Sequence, residues 1–279
     1  MHDLVERYAL CREIRQGSID QLHYAIESFG KFLSCPVMPE HFTDRNVNRF
    51  ILWLANEGFA VDTIRSRRRA ILTIWKSAAE DGLCEMPRKI RGVSPSVNVP
   101  RAWTAEQVAS IIDQCDRLRG CFRSCPTVQR GLFAKAFCLT AYETGFRRSD
   151  LLRIRRPQIQ PSGLIVLVQS KTGRPHLARI RPATLAMIDA MGTAGRQHVF
   201  GGVVSVRRLS RMLGCILKSA GIDEGSLKWL RRSGATHVEM QHPGAGWKFL
   251  GHTTPRVAEQ SYLDPLQIGR QPLIPPELE

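Results

Sequence analysis

Apolar positions in the first part of the chain recur at spacings of three and four, which is typical of helices with one buried face. The clearest stripe, in residues 19–34, consists of Ile19, Leu22, Ile26, Phe29 and Leu33. A second helix is predicted to begin at the capping residue Thr43. A third is predicted after residues 57–63, where a glycine and either Asp62 or Thr63 supply stop and start signals. These patterns predict a small helical unit.

A second set of helices, interrupted by one hairpin, follows residue 100. Thr104 and Gln107 have the spacing of a capping box, and a mostly apolar helix is predicted to end at Gly145. The stretch GLIVLVQSKTGRPHLARI, residues 163–180, combines a β-branched run, a turn at Thr172 and Gly173, and a return strand. Further helices are predicted at about 182–191, 205–220, 226–240 and 254–262. The expected fold class is mainly α with a small β-sheet, an α+β arrangement.

The segment PRKIRGVSPSVNVPR, residues 87–101, separates these two parts. It contains three prolines, one glycine and two serines with little periodicity, which indicates a linker. A chain of 279 residues also suits two domains. We therefore expect a helical domain over 1–90, a linker over 91–101, a second domain over 102–262 and a proline-rich tail over 263–279.

Positive charge is concentrated in the second part of the chain. The sequence has 40 Lys and Arg residues and 25 Asp and Glu residues, a net charge of +15 and a pI near 10.0. Residues 1–99 hold 14 basic and 12 acidic side chains, whereas residues 100–279 hold 26 and 13. This excess indicates a partner with many negative charges, nucleic acid first and an anionic membrane surface second.

The sequence contains no recognisable membrane or metal motif. Runs of about 18 uncharged apolar residues are absent, and residues 1–17 carry charges where a signal peptide needs an apolar block. Eight cysteines in such a chain indicate free thiols in a reducing compartment. Cys115, Cys121 and Cys125 are the nearest approach to a zinc pattern, but they include no C-x-x-C pair. We expect a soluble cytoplasmic protein with no metal, no cofactor and no membrane partner.

Four arginines, Arg65, Arg67, Arg68 and Arg69, cluster in the opening turns of the third predicted helix. Positive charge at a helix amino terminus opposes the helix dipole, so a function other than helix stability is indicated. Contact with DNA phosphates and a merely solvated helix face are the two alternatives.

Four segments of the second domain carry arginine, lysine, histidine and tyrosine in a fixed order. They are ETGFRRSDLLRI at 143–154, SKTGR at 170–174, LKWLRRSGATH at 227–237 and LGHTTPRVAEQSYL at 250–263. Together these segments resemble the motifs of the tyrosine recombinase, or phage integrase, family. The resemblance covers nearly the whole chain, since the first domain is similar to that family's helical, SAM-like core-binding domain.

The resemblance implies that residues 102–262 form a tyrosine recombinase catalytic domain. The catalytic set that it implies is Arg147, Lys171, Lys228, Arg231, His252 and Tyr262, with Asp150 in support of the first arginine. In this set the two arginines bind the phosphate, and the tyrosine is the nucleophile. Further expected DNA contacts are Arg148, Arg174 and Arg232.

Two positions depart from the family pattern. Lys228 stands where histidine is most often found, and Arg232 where histidine is also common. A lysine donates a proton or a hydrogen bond, but it is a poor base near neutral pH unless its pKa is lowered. Arg148 is an alternative to Arg147 for the first arginine, although the spacing within the motif favours Arg147.

Phosphoryl transfer explains why these residue types occur together. Two guanidinium groups bind the non-bridging oxygens of a phosphodiester and neutralise the charge that builds up in the transition state. A tyrosine hydroxyl, with a pKa of about 10, becomes a better nucleophile beside cations. The resemblance assigns Lys171 to protonation of the leaving 5′-oxygen, and His252 to hydrogen bonding of the phosphate or to movement of the proton.

The implied function is that of a site-specific DNA recombinase with a covalent 3′-phosphotyrosyl intermediate. Its partners would be double-stranded DNA with inverted-repeat core sites and further copies of the chain, as a homotetramer in the synaptic complex and a monomer in solution. The chain begins directly with the core-binding domain, as in simple Xer-type or Cre-type members. Residues 263–279 would form a tail that is exchanged between subunits.

Two other functions stay open from the sequence. A type IB topoisomerase-like enzyme would use similar residues to relax DNA without strand exchange. A non-catalytic DNA-binding relative, architectural or regulatory, would suit Lys228 and Arg232 in place of histidines. Outside the motifs, Trp229 and Trp247 are expected in the core, and His176 is expected to be exposed and without a role.

Overall fold

The computed structural model describes residues 2–96, 99–192 and 195–269. The chain divides into two compact units, unit 1 over Met1–Asn98 and unit 2 over Val99–Glu279. In the described ranges, no helix is both long enough and apolar enough to cross a membrane.

In its described residues unit 1 is helical, and three of its four α-helices form where the sequence predicts them. They are α1 (His2–Leu10), α2 (Gln16–Leu33), α3 (Asp44–Asn56) and α4 (Val61–Glu80), with a short 3₁₀ helix at Pro39–His41. Thr43 caps α3 as predicted, because its hydroxyl oxygen accepts a hydrogen bond from the Asn46 amide at 3.2 Å. The prediction missed α1, and α4 begins at Val61 rather than after Asp62.

Large aromatic side chains fill the core of unit 1. Phe29, Phe50 and Trp75 are almost completely buried, and the ring of Phe42 stacks on Phe29 at 5.9 Å and on Trp75 at 6.2 Å between centroids. Aromatic pairs of this kind stabilise a core beyond the area that they bury.

The start of the predicted linker is fixed to the surface of unit 1. The Asp44 carboxylate accepts hydrogen bonds from the Arg88 and Lys89 amides, and Asn48 bonds to the Lys89 carbonyl and the Arg91 amide. Residues 88–91 are therefore ordered by α3 rather than by a strand or helix of their own.

Unit 2 combines eight helices with two hairpins in its described residues. The helices are α5 (Ala105–Cys115), α6 (Arg130–Thr144), α7 (Arg148–Leu151), α8 (Pro182–Met191), α9 (Val206–Ser219), α10 (Leu227–Gln241), α11 (Gly246–Phe249) and α12 (Pro255–Ser261), with a 3₁₀ helix at Arg156–Gln158. The strands are β1 (Cys121–Phe122), β2 (Cys125–Gln129), β3 (Leu164–Val168) and β4 (Pro175–Arg179). Both hairpins are antiparallel, and in the second Leu167 is the partner of His176. The sequence predicted the β3–β4 hairpin but not the β1–β2 hairpin.

Helix α6 forms the centre of unit 2. Its apolar side chains are buried on almost all sides, with Phe133 and Phe137 at 1% exposure or less, which explains why its sequence lacks a polar stripe. The helix ends at Gly145, in the left-handed conformation with φ of 59°. A Cβ atom at this position would lie 2.5 Å from the Phe249 ring, so only glycine suits the turn that leads to the next helix.

Residues near the end of the described chain pack in a second, smaller apolar cluster of unit 2. Leu250, Ala258 and Leu263 pack with Ala235 of α10, and Trp247 lies against them. Trp229 packs against the main core of unit 2, with its ring 5.6 Å from that of Trp103. The expectation that both tryptophans belong to the core is confirmed.

The segment after α12 is joined to the beginning of unit 2. An Asp264 carboxylate oxygen accepts a hydrogen bond from the Ala102 amide at 3.0 Å, and the Gln267 side-chain amide donates to the Ala102 carbonyl at 2.7 Å. Residues 263–269 of the predicted tail thus lie on their own unit. Exchange between subunits was expected for the whole tail, residues 263–279, and residues 270–279 of it are outside the described residues.

Candidate active site

The two arginines of the predicted set lie next to the turn that ends α6. Arg147 precedes α7 and donates from Nη1 to the side-chain oxygen of Gln169 at 2.7 Å. Arg231, on α10, is only 3% exposed. It donates to the Gly145 carbonyl and, at 3.1 Å, to the Leu250 carbonyl. Burial lowers the pKa of Arg231 to about 10, so the guanidinium keeps its charge near neutral pH.

Tyr262 lies where α12 ends, among the other residues of the predicted set. The guanidinium carbon of Arg231 is 4.9 Å from the centre of the tyrosine ring, and Nζ of Lys228 is 5.2 Å from it. The ring of His252 meets the same ring edge-on, with centroids 5.3 Å apart. Folding therefore brings four residues from α10, α12 and the loop between α11 and α12 to one place.

The cations around Tyr262 change its acidity. Burial acts to raise the pKa of the phenol, but Arg231, Lys228 and Arg147 lower it more strongly, so the pKa lies below its ordinary value. Burial also lowers the pKa of the Lys228 ammonium, and nearby Arg232 adds to the effect. The lowered pKa of Tyr262 favours loss of the phenol proton.

His252 is held in its neutral form. Its pKa is lowered to about 4 by burial, then by the charges of Arg231 and Arg147. Its Nε2 lies 3.2 Å from Nη2 of Arg231, and because a guanidinium only donates, Nε2 accepts and the ring proton is on Nδ1. A neutral imidazole with its proton on Nδ1 can donate one hydrogen bond from that atom.

Asp150 and Lys171 belong to the turns that flank the arginine pair. Asp150 is 3% exposed and accepts a hydrogen bond from the Ser170 amide at 2.8 Å, which ties α7 to the β3–β4 turn. Lys171, the next residue of that turn, is exposed. The structure therefore places Asp150 as a support of the turn, with the Lys171 side chain exposed beside it.

Two neighbouring clefts meet at Arg147 and Lys171. One, of about 440 Å³, is lined by Phe146, Arg147, Arg148, Ser149, Lys171, Ser210, Ser226, Leu227, Lys228, Arg231 and Tyr262. The other, of about 450 Å³, is lined by Arg147, Lys171, Thr172, Arg174, Gly251, His252, Thr253, Thr254 and Val257. All charged side chains among these described lining residues are Arg or Lys. His252 is neutral, and none of these lining residues is acidic. The positive charge of this lining makes the pair of clefts suited to an anion.

Three buried polar atoms of this site have no hydrogen-bond partner among the described residues. They are Oδ2 of Asp150, Nε of Arg231 and Nδ1 of His252. Unsatisfied buried polar groups are rare in folded proteins and concentrate where a group has a functional task. Their presence together supports the assignment of these residues to a site.

The arginines expected to contact DNA fall into two groups. Arg148 and Arg174 are exposed beside the clefts, whereas Arg232 donates from Nε to the Ser261 carbonyl at 3.1 Å and so fixes the backbone next to Tyr262. In unit 1, a groove of about 320 Å³ is lined by Arg65, Arg68, Arg69, Leu72, Thr73, Lys76 and Val93.

Arg67 differs from the other three arginines of its cluster. It donates to the Ser28 hydroxyl at 2.8 Å and lies 4.2 Å over the Phe59 ring, and burial lowers its pKa. These contacts join α4 to α2 inside unit 1, so Arg67 has a packing role that spacing in the sequence did not indicate.

Sequence reasoning missed Gln169 and was wrong about His176. Gln169 is 1% exposed and His176 is 4% exposed, and their side chains are hydrogen-bonded to each other at 3.0 Å. His176 is buried because it is the partner of Leu167, which faces the core. The alternation of β4 was the available signal, since position 176 lies on its inner face.

Three solved structures are similar to this chain over most of its length. Residues 75–356 of lambda integrase, a dimer bound to a COC′ core site, give a TM-score of 0.70 at 18% identity, covering 100% of this chain and 99% of that one. XerH site-specific recombinase, in a post-cleavage complex with palindromic difH, gives a TM-score of 0.68 at 14% identity. The match covers 86% of this chain and 74% of that one. Tn1549 transposon integrase, residues 82–397 with circular intermediate DNA, gives 0.66 at 11%, covering 92% of both chains.

These similarities concern structure rather than sequence. No protein-family model and no curated protein matches the sequence. At 11–18% identity the structural likeness shows the fold. The chain has the fold of the tyrosine recombinases, and the mainly α architecture expected from the sequence is confirmed.

Proposed function

We propose that this chain is a tyrosine-type site-specific DNA recombinase that cuts and rejoins DNA strands through a 3′-phosphotyrosyl intermediate on Tyr262. The observation that carries the proposal is the position of the Tyr262 ring, about 5 Å from both the Arg231 guanidinium and the Lys228 ammonium. A phenol in a cleft lined by cations is suited to attack an anionic phosphodiester.

The cleavage step uses the groups of the cleft in distinct roles. Arg147 and Arg231 bind the non-bridging oxygens of the scissile phosphate and stabilise the charge of the transition state. The Tyr262 oxygen attacks phosphorus, the bond to the 5′-oxygen breaks, and Lys171 gives that oxygen its proton. The phenol proton passes to solvent or to a neighbouring base, and neutral His252 donates a hydrogen bond to the phosphate.

The rejoining step is the reverse reaction with a different DNA end. The phosphotyrosyl bond keeps the free energy of the phosphodiester that was cut. A 5′-hydroxyl from a second strand attacks phosphorus, Lys171 takes up the hydroxyl proton, and the Tyr262 phenol leaves. No further energy source is needed for this exchange.

The proposal includes the contacts with DNA. Residues 1–90 serve as the core-binding domain and residues 102–262 as the catalytic domain. Arg148 and Arg174 contact the backbone near the clefts, and Arg65, Arg68 and Arg69 contact it from the groove in unit 1. Since Arg67 and Arg232 are engaged within the protein, we assign them to positioning of their own unit.

The natural substrate is proposed to be double-stranded DNA with inverted-repeat core sites, bound by a homotetramer during synapsis. The charge of +15 supports a polyanionic partner. The dimeric state of lambda integrase on its core site supports binding of DNA by several subunits. With DNA as its substrate, the protein would act in the cytoplasm in association with DNA.

A nicked suicide substrate tests the proposal. A duplex built from the inverted repeats that flank the gene is nicked close to the cleavage point, so that cleavage releases a short oligonucleotide and traps the protein on DNA. We expect a covalent adduct with the wild-type chain and none with Tyr262→Phe, while both bind DNA equally in a gel-shift assay. Binding without an adduct in the wild-type chain would instead indicate the non-catalytic architectural function.

A second experiment, with a supercoiled plasmid that lacks the inverted repeats, distinguishes a recombinase from a topoisomerase. We expect little relaxation of this plasmid under conditions that give full adduct formation on the specific duplex. Rapid relaxation over many turnovers would instead identify a type IB topoisomerase-like enzyme.

A further inference from the structure

Gln169 follows β3 and uses every hydrogen-bonding position of its side-chain amide. The oxygen accepts from Nη1 of Arg147 at 2.7 Å and from the Thr172 hydroxyl at 2.9 Å. The nitrogen donates to Nδ1 of His176 at 3.0 Å and to the Leu250 carbonyl at 3.3 Å. Because a guanidinium can only donate, the amide oxygen must face Arg147, and the orientation of the whole amide is determined.

His176 is fixed by this orientation. Its Nδ1 accepts from Gln169, so Nε2 carries the ring proton and donates to the Phe249 carbonyl at 3.0 Å. Burial, followed by the charge of Arg231, lowers the pKa of His176 to about 4. The imidazole therefore stays neutral and keeps the acceptor that Gln169 requires.

The Leu250 carbonyl connects this pair to the second arginine. It accepts one hydrogen bond from Gln169 and another, at 3.1 Å, from Nη2 of Arg231. A Cβ atom at Gly251 would lie 2.6 Å from the Gln169 nitrogen and 2.8 Å from Cγ of His176. The glycine thus allows the pair to pack directly against the backbone that holds Arg231.

The backbone of Gln169 also closes the turn that carries Lys171. Its amide donates to the Arg174 carbonyl at 2.8 Å, and its carbonyl accepts from the Gly173 amide at 2.9 Å. One buried residue is therefore bonded to the first arginine, to the backbone that holds the second arginine, and to the turn of the lysine.

We propose that Gln169 and His176 are positioning residues of the recombination reaction, which set the spacing and orientation of the Arg147 and Arg231 guanidinium groups without touching DNA. The inference deepens the proposed function and rests on it. Displacement of a catalytic group by about 1 Å is enough to cost on the order of a hundredfold in rate. The pair acts through the arginines, so its loss should resemble a partial loss of arginine function.

The test measures the rate of adduct formation at saturating DNA on two suicide duplexes. One carries the ordinary scissile phosphate and the other an uncharged methylphosphonate at the same position, on which neutralisation by arginine is not required. The variants are Gln169→Met, which keeps the size of the side chain but removes its hydrogen bonds, and His176→Phe. Gln169→Glu, which replaces the donors by an acceptor oxygen and adds a negative charge, is the second variant in case Gln169→Met does not fold.

We expect the rate on phosphate DNA to fall about tenfold to a hundredfold in each variant, and the rate on methylphosphonate DNA to fall by less than about threefold. Val128→Ala is the matched control, since Val128 is 1% exposed in β2 and lies outside this hydrogen-bond network. Its loss of stability should not distinguish the two substrates.

Each result has one interpretation. Equal losses on both duplexes, or rates that match Val128→Ala, would overturn the inference while an adduct that depends on Tyr262 upholds the proposed function. If the wild-type chain forms no adduct on phosphate DNA, the proposed function fails and this inference fails with it.

Discussion

Lys228 holds its ammonium nitrogen 5.2 Å from the centre of the Tyr262 ring. A cation over an aromatic face is attracted to it, and a cation near a phenol favours the ionised form. Burial opposes ionisation of Tyr262, yet the charges of Arg231, Lys228 and Arg147 together outweigh it and lower the pKa. The lysine at the position where the resembling family most often has histidine therefore affects the tyrosine through its charge.

Replacement of Lys228 by alanine should raise the pKa of Tyr262. The phenol is protonated below its pKa and ionised above it, so the pH at which cleavage becomes fast should move upward. The measurement is a pH titration of phenolate absorbance, with the Tyr262→Phe spectrum subtracted. Lys218→Ala is the control, because Lys218 is an exposed lysine of α9. An unchanged Tyr262 titration in Lys228→Ala would contradict the assigned effect.

A better leaving group on the DNA should restore the cleavage rate that is lost when the Lys171 ammonium is removed. Lys171→Ala should slow cleavage of normal DNA on the order of a hundredfold, the usual contribution of one general acid. On DNA with sulfur in place of the bridging 5′-oxygen the loss should largely disappear, because a thiolate leaves without a proton. Arg174→Ala, in the same turn, should lose the same factor on both duplexes. A defect in Lys171→Ala that persists with sulfur would assign the acid to another residue.

Two glycines of unit 2 should respond in opposite directions to alanine. Gly145→Ala puts a Cβ atom at φ of 59° and 2.5 Å from the Phe249 ring, and should lower the free energy of unfolding by at least about 1–3 kcal/mol. Gly214 lies on the exposed side of α9 with open space around it. Gly214→Ala should therefore raise the free energy of unfolding by about 0.5–1 kcal/mol. Urea denaturation measures both. Equal effects would mean that the turn after α6 does not require glycine.

The buried imidazole of His176 should make the fold sensitive to acid. Its pKa is lowered from 6.5 to about 4 by burial and the arginines, so the unfolded chain takes up a proton at a higher pH than the folded chain does. The stabilisation is complete above pH 6.5 and is lost as the pH falls towards 4, by up to about 3 kcal/mol. Urea denaturation over this pH range should show a shallower loss of stability in His176→Phe than in the wild-type chain. If the free energy of unfolding of His176→Phe falls with decreasing pH as steeply as that of the wild-type chain, His176 is not the cause of the acid sensitivity.

Asp264 should support cleavage more than it supports binding. Asp264→Ala leaves the buried Ala102 amide without its acceptor, which should cost about 1–3 kcal/mol in stability and loosen the segment that follows Tyr262. The yield of covalent adduct should fall, while the gel-shift affinity for the same duplex stays close to that of the wild-type chain. Leu266→Ala is the control, because Leu266 is 78% exposed. Normal cleavage by Asp264→Ala would show that this contact is not needed to place the tyrosine.

Elements with strong local signals could be predicted from the sequence. Thr104 and Gln107 form the capping box that starts α5, and Gly145 ends α6 in the conformation that glycine favours. The β1–β2 hairpin could not be predicted, since β1 has only two residues and its pattern begins with an exposed cysteine. The packing role of Arg67 depends on Ser28 and Phe59, which the spacing of arginines does not reveal.

The residues of the site could be named from their motifs, but not the bonds that hold them. Arg231 is bonded to the Gly145 and Leu250 carbonyls, and backbone acceptors leave no signal in the side-chain sequence. The alternation of β4 could have indicated that His176 is buried, but not that its second partner is the Phe249 carbonyl. Polar residues at inward positions of a strand are evidence for such hidden partners.

The hydrogen bonds of Asp264 and Gln267 to Ala102 join the end of the described part of unit 2 to its beginning. Two hydrogen bonds thus connect the segment before Ala102 to the backbone that follows Tyr262. A circularly permuted form, with residues 102 and 267 joined by a short peptide and new termini opened elsewhere, would keep Tyr262 anchored by a covalent link in place of those bonds.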